Sequence, residues 1–414
     1  MSVPFRRSSE ERLRVLMLLE NNPYPQDGRV RMEATALAAA GYAVTVIAPT
    51  RGERRRERIE GVEVYRFRAP RPGRGPLGYV FEYVYSMART FAISLRILVR
   101  DGFDVVHAHN PPDTFVVIAL VYKLFGKRFV FDHHDLSPEM YEALAADKSK
   151  PVLRRMLLFF ERASCRLADH LLAPNESYKR LDIARNGVAP ERITVVRNGP
   201  DLGLVERARP DPSLRPPATA VVGYAGIIGY QDGVDYLLRA LRHLVRDRRR
   251  EDVLCYVVGD GNAGPQMREL AQELELVEHV RFTGWLPYED LLRYMATADV
   301  CVSPEPSNPY TDRSTMVKIM EFMALGKPVA AFDLAEHRAS ADGAAAYARP
   351  NDPADLARVL DELLSDPERR TAMATAGRRR VRSTLAWSHS EPNLLQAYAS
   401  LVNGAVPAQS SQWA

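Results

Sequence analysis

Six residues in the stretch "DRSTMVKIMEFMALGKPVAAFD" (312–333) could do chemistry within an otherwise apolar segment. Met316, Val317, Ile319, Met320, Phe322, Met323 and Leu325 cover nearly every direction around a helical axis, so the helix is expected to be buried on most sides. Lys318 and Glu321 stand three apart on one face. On an exposed helix such a pair is worth a few tenths of a kcal/mol. In a buried one, desolvation makes it costly unless something polar binds there. The segment opens on Asp312, Arg313, Ser314 and Thr315, with Asp312 or Ser314 expected to cap the helix and Gly326 and Pro328 to end it. Hydroxyls, an Arg and a Lys at a helix N-terminus suit a phosphate, so this helix reads as one end of a ligand site.

Two further turns in the same half carry glycines. "GYAGIIGYQDG" holds Gly223, Gly226, Gly229 and Gly233 around Gln231, and "VVGDGNAG" holds Gly259, Gly261 and Gly264. Such turns let a backbone approach phosphate or ribose, although strand-to-helix turns want glycine in any case. With 312–321 they point to nucleotide binding. In the first half, "VVHAHNPPD" and "FVFDHHDLSPE" place His107, His109, His133 and His134 at strand ends, with Asp132 and Asp135 between them. Imidazoles there can hydrogen-bond substrate hydroxyls or handle a proton. A zinc site and a satisfied sheet edge are the alternatives, and the spacing lacks H-E-x-x-H.

The elements that must position these groups alternate. "RVLMLLE", "AVTVIAP", "VEVYRFR", "DVVHAHN" and "RFVFDHHD" read as strands, with helices at "VRMEATALAAAGY", 79–99 and 113–125. Pro, Gly and charge interrupt the pattern in "VVRNGPDLGLVERARPDPSLRPPAT", a linker by composition. A second series runs from "AVVGYAG" through "VLCYVVGDG", "VRFTGWL" and "VCVSPEP" to "PVAAFD". The expected class is α/β, with two doubly wound Rossmann-like domains facing each other across a cleft. Their boundaries are expected at 1–200, 201–218 (linker), 219–385 and 386–414 (a final helix and tail).

At 414 residues, two domains are the natural count. No apolar run approaches the ~18 residues of a membrane span, and the N-terminal "MSVPFRRSSEERLRVLMLLENN" fits a first strand better than a signal peptide. Cys165, Cys255 and Cys301 are isolated, which indicates neither a disulfide framework nor zinc and suits a reducing cytoplasm. The net charge of +4 hides an asymmetry. Residues 1–200 hold 32 Lys+Arg and 23 Asp+Glu (+9), which leaves 24 and 29 (−5) for the remainder. The basic excess is a solvated surface or a contact with anionic lipid, peripheral on the inner face of the membrane, or with a phosphate-bearing acceptor. No nucleic-acid module accompanies it.

Taken together, "EATALAAAGYAVTVIAP", "DVVHAHNPPD", "FDHHDLSPE", "ITVVRNGPD", "VVGDG", "VRFTGWLPYEDLLRYMATADVCVSPE" and "KIMEFMALGKPVAAFD" resemble the family-4 (group 1) retaining glycosyltransferases over nearly the whole chain. The resemblance implies the GT-B fold. It also implies transfer of a sugar from a nucleotide diphosphate sugar, UDP-linked by expectation, to a glycan or lipid-linked acceptor in polysaccharide biosynthesis, without a metal or other cofactor. "AWSHSEPNLLQAYASLV" resembles the final helix that crosses back to the first domain in this fold. Glu321 matches the carboxylate that accepts the ribose hydroxyls. His134 matches the imidazole beside the transferred sugar, with His133 the second choice. Phe282 to Trp285, Gly284 included, matches the turn at the base.

The departures lie at the phosphate. The family's second Glu falls on Arg313, beside Asp312, and its phosphate-binding Arg and Lys fall on Ile227 and Asp232. The usual glycine pair of the first loop is reduced to Gly28. Arg313 and Lys318 are therefore expected to replace the lost cations, with N–H donors from the turn that holds Gly226, Gly229 and Gln231, and Asp312 to replace the lost carboxylate. Ser314, Thr315 and Gly261 complete the expected donor site. An epimerase of the same fold and a catalytically silent nucleotide-sugar binder are the competing classes.

Overall fold

The computed structural model describes residues 13–403 apart from 51, 53, 70–74 and 146–148, with backbone alone for 75–80, 145, 402 and 403. The chain forms two compact units, Met1–Tyr141 with Lys148–Val196 and Glu391–Ala414, and Glu142–Asp147 with Arg197–Ser390. No helix among the described residues is long and apolar enough to cross a membrane.

The first unit opens with β1 (Arg14–Leu18), α1 (Gly28–Ala39), β2 (Ala43–Thr50), β3 (Arg56–Ile59) and β4 (Val62–Arg68). It continues through α2 (Gly75–Arg100), β5 (Val105–His109), α3 (Val116–Leu124), β6 (Arg128–Asp132), α4 (Ser137–Ala145) and α5 (Pro151–Leu167). β7 (His170–Ala173), α6 (Glu176–Leu181) and β8 (Ile193–Val195) follow. The sheet order is β3-β4-β2-β1-β5-β6-β7-β8. All pairings are parallel except β3 with β4, a hairpin whose charge-rich first strand, RERI, gives no strand signal in the sequence. Leu16 pairs with both Thr45 and Val106, so β1 sits where the strand order reverses. That reversal opens a crevice at the strand ends, onto which α1 and the segments after β5 and β6 emerge.

The second unit holds α7 (Leu202–Val205), β9 (Ala220–Ala225), α8 (Val234–Arg242), β10 (Val253–Val258), α9 (Gly264–Glu273) and β11 (Val280–Gly284). Then come α10 (Tyr288–Thr297), β12 (Val300–Ser303), α11 (Val317–Leu325), β13 (Val329–Phe332), α12 (Ala335–Ala341) and β14 (Ala345–Ala348). α13 (Pro353–Ser365), α14 (Pro367–Arg380) and the start of α15 (Trp387–Asn403) close the unit. All its strands are parallel, in the order β11-β10-β9-β12-β13-β14, with the reversal at β9. Val222 and Tyr224 pack into one helical layer while Val221 and Ala225 pack into the other, as a sheet covered on both faces requires.

Three local expectations change. Residues 201–218, a linker by composition, pack into the second unit instead: Val205 is fully buried, and Tyr256 donates a 2.7 Å hydrogen bond to the Leu214 carbonyl. The helix expected from 312 begins at Val317, with Met316 as its N-cap residue and no side-chain cap. Asp312 and Ser314 lie in the preceding turn, where the Ser314 hydroxyl donates 2.8 Å to the Tyr310 carbonyl, so neither caps α11. β6 ends at Asp132, which leaves His133 and His134 on the exit from the strand.

Candidate active site

In the second unit the strand reversal brings together the turns after β9 and β12 and the start of α11. Lys318 forms no hydrogen bond or ion pair with Glu321. Its Nζ lies 2.7 Å from Glu305 Oε1 and 3.3 Å from the Tyr224 hydroxyl, and 4.4 Å from the centre of the Tyr224 ring. Burial disfavours the ammonium, but Glu305, Tyr224 and Asp232 outweigh it and hold its pKa above the ordinary value. Glu305 is buried, which pushes its pKa up; Lys318 and His337 more than compensate and keep it below the usual carboxylate value. The Ser303 hydroxyl donates to Glu305 Oε2, and His337 Nε2 stands 3.7 Å from it.

The glycine turn lies against this pair. Gly226 has φ +149, and a Cβ there would stand 2.9 Å from Lys318 Nζ, so glycine is what allows the ammonium to reach the turn. Gly229 N–H donates 2.9 Å to Asp232 Oδ2, and the Gln231 side chain packs alongside. Asp232 is thus a turn-former whose carboxyl is raised by burial and lowered by Lys318. Ile227 points outward, 67% exposed. Gly261 has a packing reason of its own: a Cβ there would meet the Ile228 carbonyl oxygen at 2.4 Å.

Glu321 lies one turn along α11 and accepts a 2.6 Å hydrogen bond from the Tyr288 hydroxyl. Burial raises its pKa, and Tyr288 and Lys318 draw it back. Arg313 donates 2.7 Å to the Pro309 carbonyl, and Thr315 Oγ1 donates 3.2 Å to Glu336 Oε2. Asp312 Oδ2 accepts from the Ser307 hydroxyl at 3.2 Å, while its Oδ1 is buried without a hydrogen-bond partner. Phe282 lies under the Arg268 guanidinium, 5.4 Å from its ring centre. Gly284 turns the chain at φ +74 and accepts from Gly259 N–H at 3.1 Å.

The first unit builds a separate constellation at its own strand reversal. Arg29 grips Asp132 with two hydrogen bonds, of 2.6 and 2.7 Å, and its third nitrogen donates 2.8 Å to the Val196 carbonyl. Asp132 Oδ2 also lies 2.9 Å from Nδ1 of both His109 and His134. Burial opposes charge on His134, but Asp132 prevails and raises its pKa above the ordinary imidazole value. His134 is the accessible imidazole, its side chain 11% exposed; His107, His109 and His133 are fully buried. His107 Nδ1 lies 2.8 Å from the Tyr398 hydroxyl, and His133 Nδ1 lies 2.9 Å from Asp182 Oδ1, next to Cys165.

Glu33, His107, His109 and Asp132 form one buried group with metal-ligand chemistry, and His133, Cys165 and Asp182 another. Each is balanced from within. The Arg29 cation neutralises Asp132, while burial first and then Asp132 push Glu33 up to about 8. His133 is held well above its ordinary value against burial by Asp182. Arg29, Tyr224, Tyr288 and Glu305 were not singled out from the sequence. Two carried a signal: Glu305 stands two residues after the apolar strand "VCVS", beyond Pro304, and Arg29 and Glu33 share a helical face.

Residues 219–366 match the profile of the family described as "Glycosyl transferases group 1", and residues 28–199 that of "Glycosyl transferase 4-like domain". D-inositol 3-phosphate glycosyltransferase 1 of Catenulispora acidiphila is 30% identical over 317 residues, 73% of each chain. Glycogen synthase of Mycobacterium tuberculosis is 26% identical over 388 residues, 90% of each. Among solved structures, sucrose-phosphate synthase from Thermosynechococcus elongatus matches with a TM-score of 0.79 at 20% identity, covering 95% of this chain and all of that one. Anabaena HepE in complex with UDP matches at 0.69 and 16% identity, over 94% of this chain and all of that one. The chain belongs to the family-4 (group 1) glycosyltransferases and has their GT-B fold.

Proposed function

We propose that the protein transfers a sugar from a UDP-linked donor, with retention at the anomeric carbon, to a glycan or lipid-linked acceptor at the inner face of an anionic membrane. The observation that carries the donor site is the Lys318 ammonium, held by Glu305 at the glycine turn after β9. A cation at that turn suits a diphosphate; the N–H groups of Gly226 and Gly229, expected as further donors, are instead engaged by the Val258 carbonyl and the Asp232 carboxylate. The cation would stabilise the charge that develops on the departing nucleotide, the largest electrostatic demand of the reaction. Glu321 is proposed to accept the ribose hydroxyls, and the backbone at 282–285 to meet the base. One protein of the same fold, Anabaena HepE, was solved with UDP and with UDP-glucose.

His134 is proposed to hydrogen-bond the transferred sugar, its ring oriented by Asp132. Asp312, with its unpartnered oxygen, is proposed for the donor sugar's hydroxyls. Lys318 supplies the charge that a divalent metal would otherwise bring, so no metal is part of the proposal. Thermal shift with UDP, GDP and ADP sugars tests it, alongside Glu321→Ala and Lys318→Ala. Stabilisation by one nucleotide, lost in both variants, is expected; no stabilisation by any nucleotide overturns it. The exposed Ile227 in place of a cation favours one alternative, a silent binder. That alternative would bind the nucleotide sugar and release no UDP with any acceptor.

A further inference from the structure

The first unit carries a helical face with its polarity reversed. Along α2 the inward stripe is Ser86, Thr90, Ser94 and Ile97, three hydroxyls among four buried residues. The outward stripe is Phe81, Val84, Ala88, Ala92, Leu95 and Val99, at spacings of three and four. Val99 is 87% exposed and Phe81 63%. A surface helix ordinarily turns its apolar stripe to the core.

The neighbouring helices repeat the pattern. α3 exposes Val117, Leu120 and Leu124 in one stripe, with Phe125 after them. α5 exposes Val152, Met156 and Phe159, and Arg155, Arg162 and Arg166 flank Phe159 in a shallow groove. The three helices lie side by side. Ser94 of α2 hydrogen-bonds the Tyr122 hydroxyl of α3 at 2.6 Å, and Lys123 of α3 donates 2.9 Å to the Leu167 carbonyl at the end of α5.

Cations outnumber carboxylates on this face, even with Asp101 beside Arg100 and Asp169 beside Lys123 and Arg128. Residues 75–100, 116–128 and 151–167 hold ten cations (three, three and four) and two carboxylates, Glu82 and Glu161, of which Glu161 is buried.

We infer that the α2–α3–α5 face seats on an anionic lipid bilayer, its apolar stripes at the acyl boundary and its arginines among the headgroups. This deepens the membrane part of the function proposed above and is independent of the donor site. Apolar residues at helical spacing flanked by Arg fit a helix lying in an interface, where long cationic side chains keep their heads in the polar layer. A second copy of the chain fits less well, because a two-fold interface sets the same patch against itself and would bring cation onto cation.

The test is cosedimentation of the full chain with phosphatidylcholine vesicles, with and without phosphatidylglycerol, at low and raised salt. Binding to the anionic vesicles is expected, falling with salt. Leu120→Glu/Leu124→Glu and Arg155→Glu/Arg162→Glu should each weaken it by about tenfold or more. Thermal melting and UDP binding show that the variants are folded, since neither substituted pair lies in the second unit. Loss of UDP binding with vesicle binding intact would indict the donor site alone. Equal binding to both vesicle types, no vesicle binding, or parental binding by both double variants would overturn the inference. So would a dimer in light scattering that Leu120→Glu/Leu124→Glu dissolves while vesicles stay unbound.

Discussion

Replacing Glu305 with glutamine removes the anion that holds Lys318 in place. The pair is 2.7 Å apart, with Lys318 13% and Glu305 1% exposed at the side chain. Removing one partner of a buried pair costs about 3–5 kcal/mol, because the other charge stays buried and uncompensated. Lys318 keeps the Tyr224 ring at 4.4 Å in parent and variant alike, so that contact leaves the difference unchanged. A loss of about 3–5 kcal/mol in the unliganded second unit is expected. A bound diphosphate would return an anion to Lys318, so the variant should gain more from UDP than the parent, whose gain is about 2.7 kcal/mol at a hundredfold excess over Kd. Urea unfolding with and without UDP measures both, and Trp285 and Trp387 of the second unit supply the fluorescence. Parental stability without UDP would refute the buried pair. An equal gain from UDP in parent and variant would refute the placing of the diphosphate at Lys318.

Three further outcomes are expected. Glu321→Gln should weaken UDP binding by about 1.5–3 kcal/mol, the worth of a hydrogen bond to a charged group, and Tyr288→Phe by less; calorimetry giving parental affinity for Glu321→Gln would contradict the ribose assignment. Gly226→Ala forces a Cβ to 2.9 Å from Lys318 Nζ at φ +149, so melting temperature and UDP affinity should fall together, whereas an unchanged melting temperature would mean that Lys318 lies elsewhere. Glu33, with its pKa raised to about 8, holds a proton in the folded state that the unfolded chain gives up near its ordinary 4.5. Stability should therefore fall as pH rises through that window, and Glu33→Gln should flatten the slope, as urea midpoints between about pH 5 and pH 9 will show.

Much of the architecture was legible. The parallel βα alternation shows in runs such as "AVTVIAP" and "VLCYVVGDG", because strands buried on both faces must be apolar throughout. The short charged strand β3 was not legible, since it is held only by the antiparallel edge of β4. Lys318 and Glu321 marked a candidate site because ionisable groups stand out on an all-apolar helix. Helical spacing set their common face, but it could not set their partners. Lys318 turns to Tyr224, 94 positions away, and to Glu305, and Glu321 turns to Tyr288, 33 away. Those contacts exist because β9 stands between β10 and β12, which brings the β9 and β12 turns to one end of the sheet. The same holds for the four histidines. Their types and strand-end positions were plain in the sequence, yet only the end of β6 at Asp132 leaves His134 accessible while the other three are buried. Composition and period determine which side chains an element presents; which of them meet a ligand is decided by strand order, because burial and the nearest opposite charge are properties of the packed sheet.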